Sequence, residues 1–256
     1  MSKPTILISL DSYAETASES IGRSFIQTLC NEDYRLVPEK LSTTESYKDP
    51  FLGIDDFLAN WWAIPVKTTA NGQARPDSFD GPAWVRRTNL VGRGYINHGL
   101  TDMKNKKHPS RIWFESRWAK DVDFSHLFDA WVHLLQADIG MLHIYTDAEK
   151  DSLQTEDGSW FETGSFGGPA KPGLPNIGWA MAYGKSSAYE VDVGRISAAG
   201  FPVDEMNGVI VVRVTESLAD VVNDFAQFSR RRAELKTLFR PDLFWIKQEP
   251  SEREVA

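Results

Sequence analysis

Residues 111–118 have the sequence RIWFESRW, in which apolar and polar side chains alternate. Successive side chains of a β-strand point to opposite faces, so this alternation predicts a strand. Ile112 and Phe114 would face a protein core, and Trp113 and Arg117 would face the other way. A strand with one apolar face needs a covering layer, which limits the folds that the chain can adopt.

A helix is predicted to follow this strand directly. Asp123 is a suitable N-cap residue, and apolar residues recur at helical spacing from Phe124 to Leu135. Further pairs of a strand and a helix are predicted at residues 4–31 and 208–239. The pattern predicts an α+β fold, in which an antiparallel or mixed sheet carries helices packed mainly on one face.

The sequence lacks the marks of a linker, a membrane span or a disulfide framework. We expect a single domain over residues 1–246 and a frayed polar tail over residues 247–256. Apolar runs fall short of the roughly 20 residues that span a bilayer, and the N-terminal apolar stretch is too short for a secretion signal. The single cysteine, Cys30, has no partner for an internal disulfide. We therefore expect a cytoplasmic protein that does not bind membranes.

The net charge limits the partners that the chain can bind. Asp and Glu number 36 and Lys and Arg number 28, which gives a formal net charge of −8. A protein that binds nucleic acid directly neutralises phosphates with Lys and Arg, so this balance argues against direct nucleic-acid binding. The charge suits a basic protein partner, and solubility alone accounts for it equally well.

Three short motifs resemble catalytic signatures and fail in detail. Residues 184–186 read Gly-Lys-Ser, but a phosphate-binding loop needs a glycine where Trp179 stands. Ser165 lies in a partial nucleophile elbow, with Thr163 in place of the first glycine. A restriction-type nuclease needs its acid-x-Lys motif on a strand, whereas residues 234–236 fall inside a predicted helix. The sequence therefore predicts neither an enzyme nor a bound cofactor.

Histidines around the predicted helix suggest a metal site that the spacing only partly supports. His126 and His133 are seven residues apart, or about 10 Å along a helix, which is too far for one zinc ion. Asp129 and His133 are four residues apart and could bind together, with His143 of the next strand as a third ligand. Solvated polar residues on an amphipathic helix explain the same pattern, so we expect no metal.

Acidic residues concentrate between residues 147 and 160, in the sequence DAEKDSLQTEDGSW. The segment ends on a tryptophan and leads into a Gly-rich stretch. An acidic patch beside an aromatic anchor is typical of a surface that binds a basic protein, although a solvated turn has the same composition. The predicted partner surface, which we call the acidic patch, comprises Asp147, Glu149, Asp151, Glu156, Asp157 and Trp160.

The order of three segments resembles that of a known family. RIWFESRW, FSHLFDAWVHLLQADIG and GLPNIGWAMAYG are similar to segments of immunity protein family 52 of bacterial polymorphic toxin systems. The resemblance implies a non-catalytic cytoplasmic protein that binds a cognate toxin of type VI secretion, of the restriction-endonuclease-like nuclease class. It also implies that Trp179 is structural and that residues 184–186 form a turn after a buried strand.

Two alternatives stay open at this point. The chain could instead be a small hydrolase or a metal-dependent enzyme that uses the loop at residues 158–184 with His133 or His143. Separately, the pair Trp61 and Trp62 could form a homodimer contact or part of the core.

Overall fold

A computed structural model describes residues 3–43, 46–66, 78–102, 104–146 and 173–249. The chain divides into two compact units. The C-terminal unit comprises Met1–Ile8 and Asp138–Ala256, and the N-terminal unit comprises Ser9–Ala137. In the described ranges, no helix has both the length and the apolar character needed to cross a bilayer.

The strands of the N-terminal unit form antiparallel pairs. Its strands in chain order are β1 (Thr5–Ser12, whose residues divide between the two units), β2 (Lys40–Ser42), β3 (Asp49–Pro50), β4 (Ile64–Pro65), β5 (Phe79–Asp80), β6 (Ala83–Arg86), β7 (Gly92–Asn97), β8 (Leu100–Thr101), β9 (Lys107–His108) and β10 (Ser110–Arg117). Strands β10, β7, β6, β2 and β3 are hydrogen-bonded in that order. Two small pairs, β4 with β5 and β8 with β9, lie outside this sheet.

Side chains of β10 alternate between the two faces of the sheet, as predicted from the sequence RIWFESRW. Ile112, Phe114 and Ser116 are buried, whereas Trp113 is half-buried and Arg117 is exposed. The two faces of the sheet therefore differ, with an apolar face toward the core and an aromatic and charged face on the other side.

In the described ranges, the N-terminal unit contains the α-helices α1 (Glu19–Glu32), α2 (Ile54–Phe57, continued by a π-helical turn Leu58–Trp62) and α3 (Phe124–Leu134). Asp123 caps α3, as predicted, by accepting the His126 backbone N–H at 2.9 Å. Helices α1 and α3 meet through Phe25 and Trp131, whose rings stack with centroids 4.3 Å apart. Trp131 also contacts Phe114 of β10 edge to face, so both helices contribute to the core under this sheet.

The C-terminal unit is a second antiparallel arrangement with its own helices. Strands β11 (Ile139–Tyr145), β12 (Ala180–Tyr183), β14 (Val209–Arg213) and β13 (Val203–Met206) pair in that order. Its helices are α4 (Val193–Ala198), α5 (Asp220–Asn223) and α6 (Phe225–Lys236). Every residue of β12 and β14 is buried, which explains why all of them except Arg213 at the end of β14 are apolar. With both units built this way, the predicted α+β fold is confirmed.

The boundaries of two elements differ from those predicted from the sequence. The helix of the strand–helix pair predicted at residues 208–239 is interrupted at Asp224, whose non-helical backbone (φ −146°, ψ 65°) ends α5 and whose side chain caps α6. The loop predicted over residues 158–184 contains strand β12 at its end. Pairing with β11 and β14 forms this strand, and no local pattern of four residues could reveal it. The single domain over residues 1–246 and the frayed tail stay predictions.

Candidate functional site

The acidic patch lies outside the described residues. Asp147, Glu149, Asp151, Glu156, Asp157 and Trp160 all fall between residues 147 and 172, and Ser165 of the partial nucleophile elbow falls there as well. The patch therefore stays a prediction from the sequence.

The Gly-Lys-Ser segment is a turn that closes on a carboxylate. Gly184 donates its backbone N–H to the Asp138 carbonyl at 3.0 Å, and Ser186 donates its backbone N–H to Asp138 Oδ1 at 3.1 Å. The Ser187 hydroxyl also donates to the Asp138 carbonyl. A phosphate-binding loop must aim such N–H groups at its ligand, whereas here they are engaged by Asp138. The expected turn after a buried strand is confirmed.

Trp179 is a core residue, as the family resemblance implies. It is 1% exposed, and its indole N–H donates to the Thr215 hydroxyl at 3.1 Å. Its backbone N–H donates to Nδ1 of His143, also at 3.1 Å. The His143 ring is fully buried and stacks on Phe228 of α6. His143 thus uses Nδ1 to hold the residue that directly precedes strand β12.

The other histidines of the metal hypothesis lie on α3. His126 is exposed and its Nδ1 lies 2.6 Å from a carboxylate oxygen of Glu32, a contact that raises the pKa of this histidine. His133 is half-buried near the end of the helix. In the part of the chain that the structure describes, no group of three His, Cys, Asp or Glu side chains is placed to share a metal ion.

Basic side chains of helix α6 are held in place by contacts with neighbouring residues. Arg232 is fully buried, and its Nε donates to Oε2 of Glu249 at 2.6 Å. Lys236 pairs with the other oxygen of the same carboxylate. The guanidinium of Arg231 lies 3.9 Å from the centroid of the Phe201 ring. These contacts give three of the basic side chains of this helix a structural role.

Two further residues singled out by the sequence are structural. Trp62 is 1% exposed and packs on Phe25 of α1, so it belongs to the core, whereas Trp61 is half-buried. A homodimer stays a prediction.

Burial raises the pKa of the Cys30 thiol to about 11, which leaves little reactive thiolate at neutral pH.

A polar cavity of about 320 Å³ lies in the N-terminal unit, beside the loop that follows β1. His98 Nε2 donates to the Trp62 carbonyl at 2.6 Å, so its Nδ1 accepts from the Thr16 hydroxyl at 2.9 Å. Thr16 must then accept from Ser110 at 2.7 Å, and Ser110 accepts from the Gly99 N–H. These groups satisfy one another, and burial lowers the pKa of His98, which favours the neutral imidazole.

A larger cleft lies on the outer face of the β2–β6–β7–β10 sheet and has a volume of about 650 Å³. We call it the aromatic groove. Strand pairing sets two rows of side chains across this face of the sheet, and Ala83, Tyr95 and Trp113 of one row and Arg93 of the other line the groove. The residues that line it are Thr43, Tyr47, Gly81, Ala83, Arg93, Gly94, Tyr95, Asn97 and Trp113.

The side chains of the first row differ greatly in size. Ala83 pairs with Tyr95, and Tyr95 pairs with Trp113, so a methyl group lies beside two stacked rings whose centroids are 5.8 Å apart. Tyr47 also lines the cleft. The small side chain of Ala83 therefore leaves open space beside the stacked rings of Tyr95 and Trp113.

The second row carries charge. Val85 pairs with Arg93, and Arg93 pairs with Glu115. The Arg93 guanidinium lies 5.0 Å from the Trp113 ring centroid and donates to Glu115 at 2.8 Å. The Arg93 side chain is still 59% exposed, so it can reach a further partner.

Sequence reasoning did not identify this groove. It placed Trp113 and Arg117 on the outer face of β10, which is the one local signal for it. Tyr95 and Ala83 join that face only through the register of β6, β7 and β10, which the sequence does not show.

Comparison with known proteins gives a fold and no family. No protein-family profile matches the chain, and no curated protein matches it. Among solved structures, it is similar to Pseudomonas aeruginosa T6SS protein PA0821, with a TM-score of 0.59 and 9% sequence identity. The match covers 94% of this chain and 77% of that one. The chain therefore shares the fold of a bacterial T6SS protein.

Proposed function

We propose that the chain is an immunity protein, which binds a cognate toxin of a type VI secretion system and neutralises it by protein–protein interaction. The observation that carries the proposal is the likeness of fold to a T6SS protein over 94% of the chain. The resemblance of the sequence to immunity protein family 52 adds the inhibitory role and the toxin as partner.

Electrostatics supports a nuclease as the target. A nuclease must hold DNA in a basic cleft because the phosphates are negative. A chain with a net charge of −8 is attracted to such a cleft, which raises the rate of association and disfavours neutral partners. In this proposal the acidic patch contacts the basic cleft, and Trp160 anchors the contact.

Inhibition then requires no chemistry from the immunity protein. A specific interface buries about 1,600 Å² in total, enough to cover a nuclease cleft and exclude DNA. The proposed action takes place in the cytoplasm, where an incoming nuclease toxin would reach DNA.

The test uses the effector encoded next to the gene of this chain. The nuclease domain of that effector is purified, and its cleavage of plasmid DNA is followed while the immunity protein is added. We expect cleavage to stop near a molar ratio of one to one, with a stable complex in size-exclusion chromatography. Full nuclease activity in the presence of excess immunity protein would contradict the proposal.

Charge variants test the acidic patch separately. Replacing its five acids with the corresponding amides should slow association at low salt by about tenfold or more, with a smaller effect at high salt. The control variant replaces five exposed acids elsewhere with amides: Asp49, Asp55, Glu205, Glu216 and Asp242. An equal effect of this control on the association rate would show that net charge alone, and not the acidic patch, governs association.

A further inference from the structure

We propose that the aromatic groove is a docking site for an extended segment of the partner protein, with an apolar side chain and a carboxylate two residues apart. The choice of partner, the cognate toxin, rests on the proposed function. The two side chains follow from the two rows of the groove.

The first row selects an apolar side chain. The small side chain of Ala83 leaves open space next to the Tyr95 ring, and Tyr47 also lines the groove. Burial already raises the pKa of the Tyr95 hydroxyl, which shows that this ring is partly shielded from water. An apolar side chain placed there removes aromatic surface from solvent. Trp, Tyr and Arg are also the residues that dominate binding energy at protein interfaces.

The second row selects a carboxylate. Lys40 is exposed and pairs with Val85, which pairs with Arg93. Two cations and the single carboxylate of Glu115 thus give this row a net positive charge on a chain whose net charge is −8. Arg93 is held over Trp113 by Glu115 and keeps most of its side chain exposed, so its guanidinium is oriented before a ligand arrives.

The spacing between the rows sets the spacing in the ligand. Ala83 and Val85 are two residues apart on β6, which places the rows about 6.8 Å apart. An extended segment that lies along β6 presents every second side chain to the groove with the same repeat. Its recognition pattern is therefore an apolar residue and an Asp or Glu separated by one residue.

The test selects short random peptides, displayed on phage, against the immobilised full chain. A Tyr95→Ala variant serves for counter-selection. We expect the recovered peptides to share the apolar-x-acid pattern. Their dissociation constants, measured by fluorescence polarisation, should rise about tenfold or more with Tyr95→Ala. Tyr34→Ala is the matched control, because Tyr34 is an exposed tyrosine of the same unit that lies outside the groove.

A second variant tests the carboxylate without touching a buried group. Arg93→Gln should weaken binding of an acidic peptide by about fivefold or more. The same peptide with an amide in place of the acid should bind wild type as weakly, and Arg93→Gln should then add no further loss. Independent effects of the two changes would contradict a direct contact.

Several results would overturn the docking site. These are recovery of basic peptides, recovery of none that depend on Tyr95, or a dimer that Tyr95→Ala dissociates, since a second copy would then occupy the groove. A toxin that binds wild type and both variants equally also overturns it and leaves the immunity function standing. A toxin that fails to bind wild type overturns the immunity function, and the peptide selection then decides on the groove alone.

Discussion

The backbone N–H of Ser186 donates to a carboxylate oxygen of Asp138 across 3.1 Å. This bond helps to close residues 184–186 into a structural turn at the end of β12, although their sequence, Gly-Lys-Ser, is that of part of a phosphate-binding loop. The carboxylate carries the negative charge that a phosphate would supply, and the two would repel each other at this position.

Replacement of Asp138 should therefore destabilise the protein. Asp138→Ala leaves the Ser186 N–H without its acceptor, and we expect the free energy of unfolding to fall by about 1–3 kcal/mol in urea denaturation. Lys185→Ala is the control. Lys185 is exposed, so its removal should change stability by less than about 0.5 kcal/mol. A rise in the thermal midpoint on addition of magnesium and ATP would contradict the structural interpretation.

Gly22 should resist replacement by alanine although it lies inside helix α1. Alanine normally favours a helix over glycine by about 1 kcal/mol. A Cβ at Gly22 would lie 2.6 Å from the Trp62 ring, which is itself buried in the core. We expect Gly22→Ala to lower the free energy of unfolding by about 1–3 kcal/mol, measured by urea denaturation.

Ser24→Ala is the matched change for Gly22→Ala. Ser24 lies on the exposed side of the same helix, so this substitution should leave stability within about 0.5 kcal/mol of wild type or raise it slightly. If Gly22→Ala also stabilised the protein, Trp62 would have to be mobile, in conflict with its packing.

His98 should make stability depend on pH. Burial lowers the pKa of His98 below its ordinary value of 6.5, so the unfolded chain takes up the proton first. The contribution of neutral His98 is complete above about pH 6.5 and is lost as the pH falls toward the folded-state pKa. Urea denaturation should show this loss between about pH 7.5 and pH 5.5, and His98→Gln should reduce the change.

His126 provides a control, because its effect on the pH dependence of stability has the opposite sign to that of His98. Glu32 raises the pKa of His126, so its contribution is present at low pH and lost as the pH rises through the folded-state value. The side chain is 67% exposed and its effect is screened, so His126→Gln should alter the pH dependence only slightly. A larger effect from His126→Gln than from His98→Gln would contradict the assignment.

Glu249 should be important for stability although it lies near the end of the chain. Its carboxylate pairs with Arg232, which is fully buried, and with Lys236. Removal of the acid takes the compensating negative charge away from a buried guanidinium, so Glu249→Ala should cost about 3–5 kcal/mol in the free energy of unfolding. Gln248→Ala, at the exposed neighbouring position, should have little effect. Equal effects of the two changes would show that this segment does not dock.

Local patterns predicted those parts of the molecule that depend on near neighbours in the chain. Strand β10 and the cap and apolar face of α3 follow from periodicity and from Asp123, because a strand face and a helix start are set within a few residues. The failure of the phosphate-loop spacing at Trp179 likewise argued against a phosphate-binding loop at residues 184–186. The acidic patch, by contrast, is still known from the sequence alone.

Only the tertiary structure decided how distant segments meet. The groove exists because β6, β7 and β10 pair in a register that aligns Ala83, Tyr95 and Trp113. Likewise, Asp138 closes a turn that lies 48 residues further along the chain. Local propensity cannot encode such contacts, since they depend on the hydrogen bonds between strands and on the burial that these make possible. The sequence by itself therefore determined the elements and their faces, and the tertiary structure determined the surfaces that those faces build.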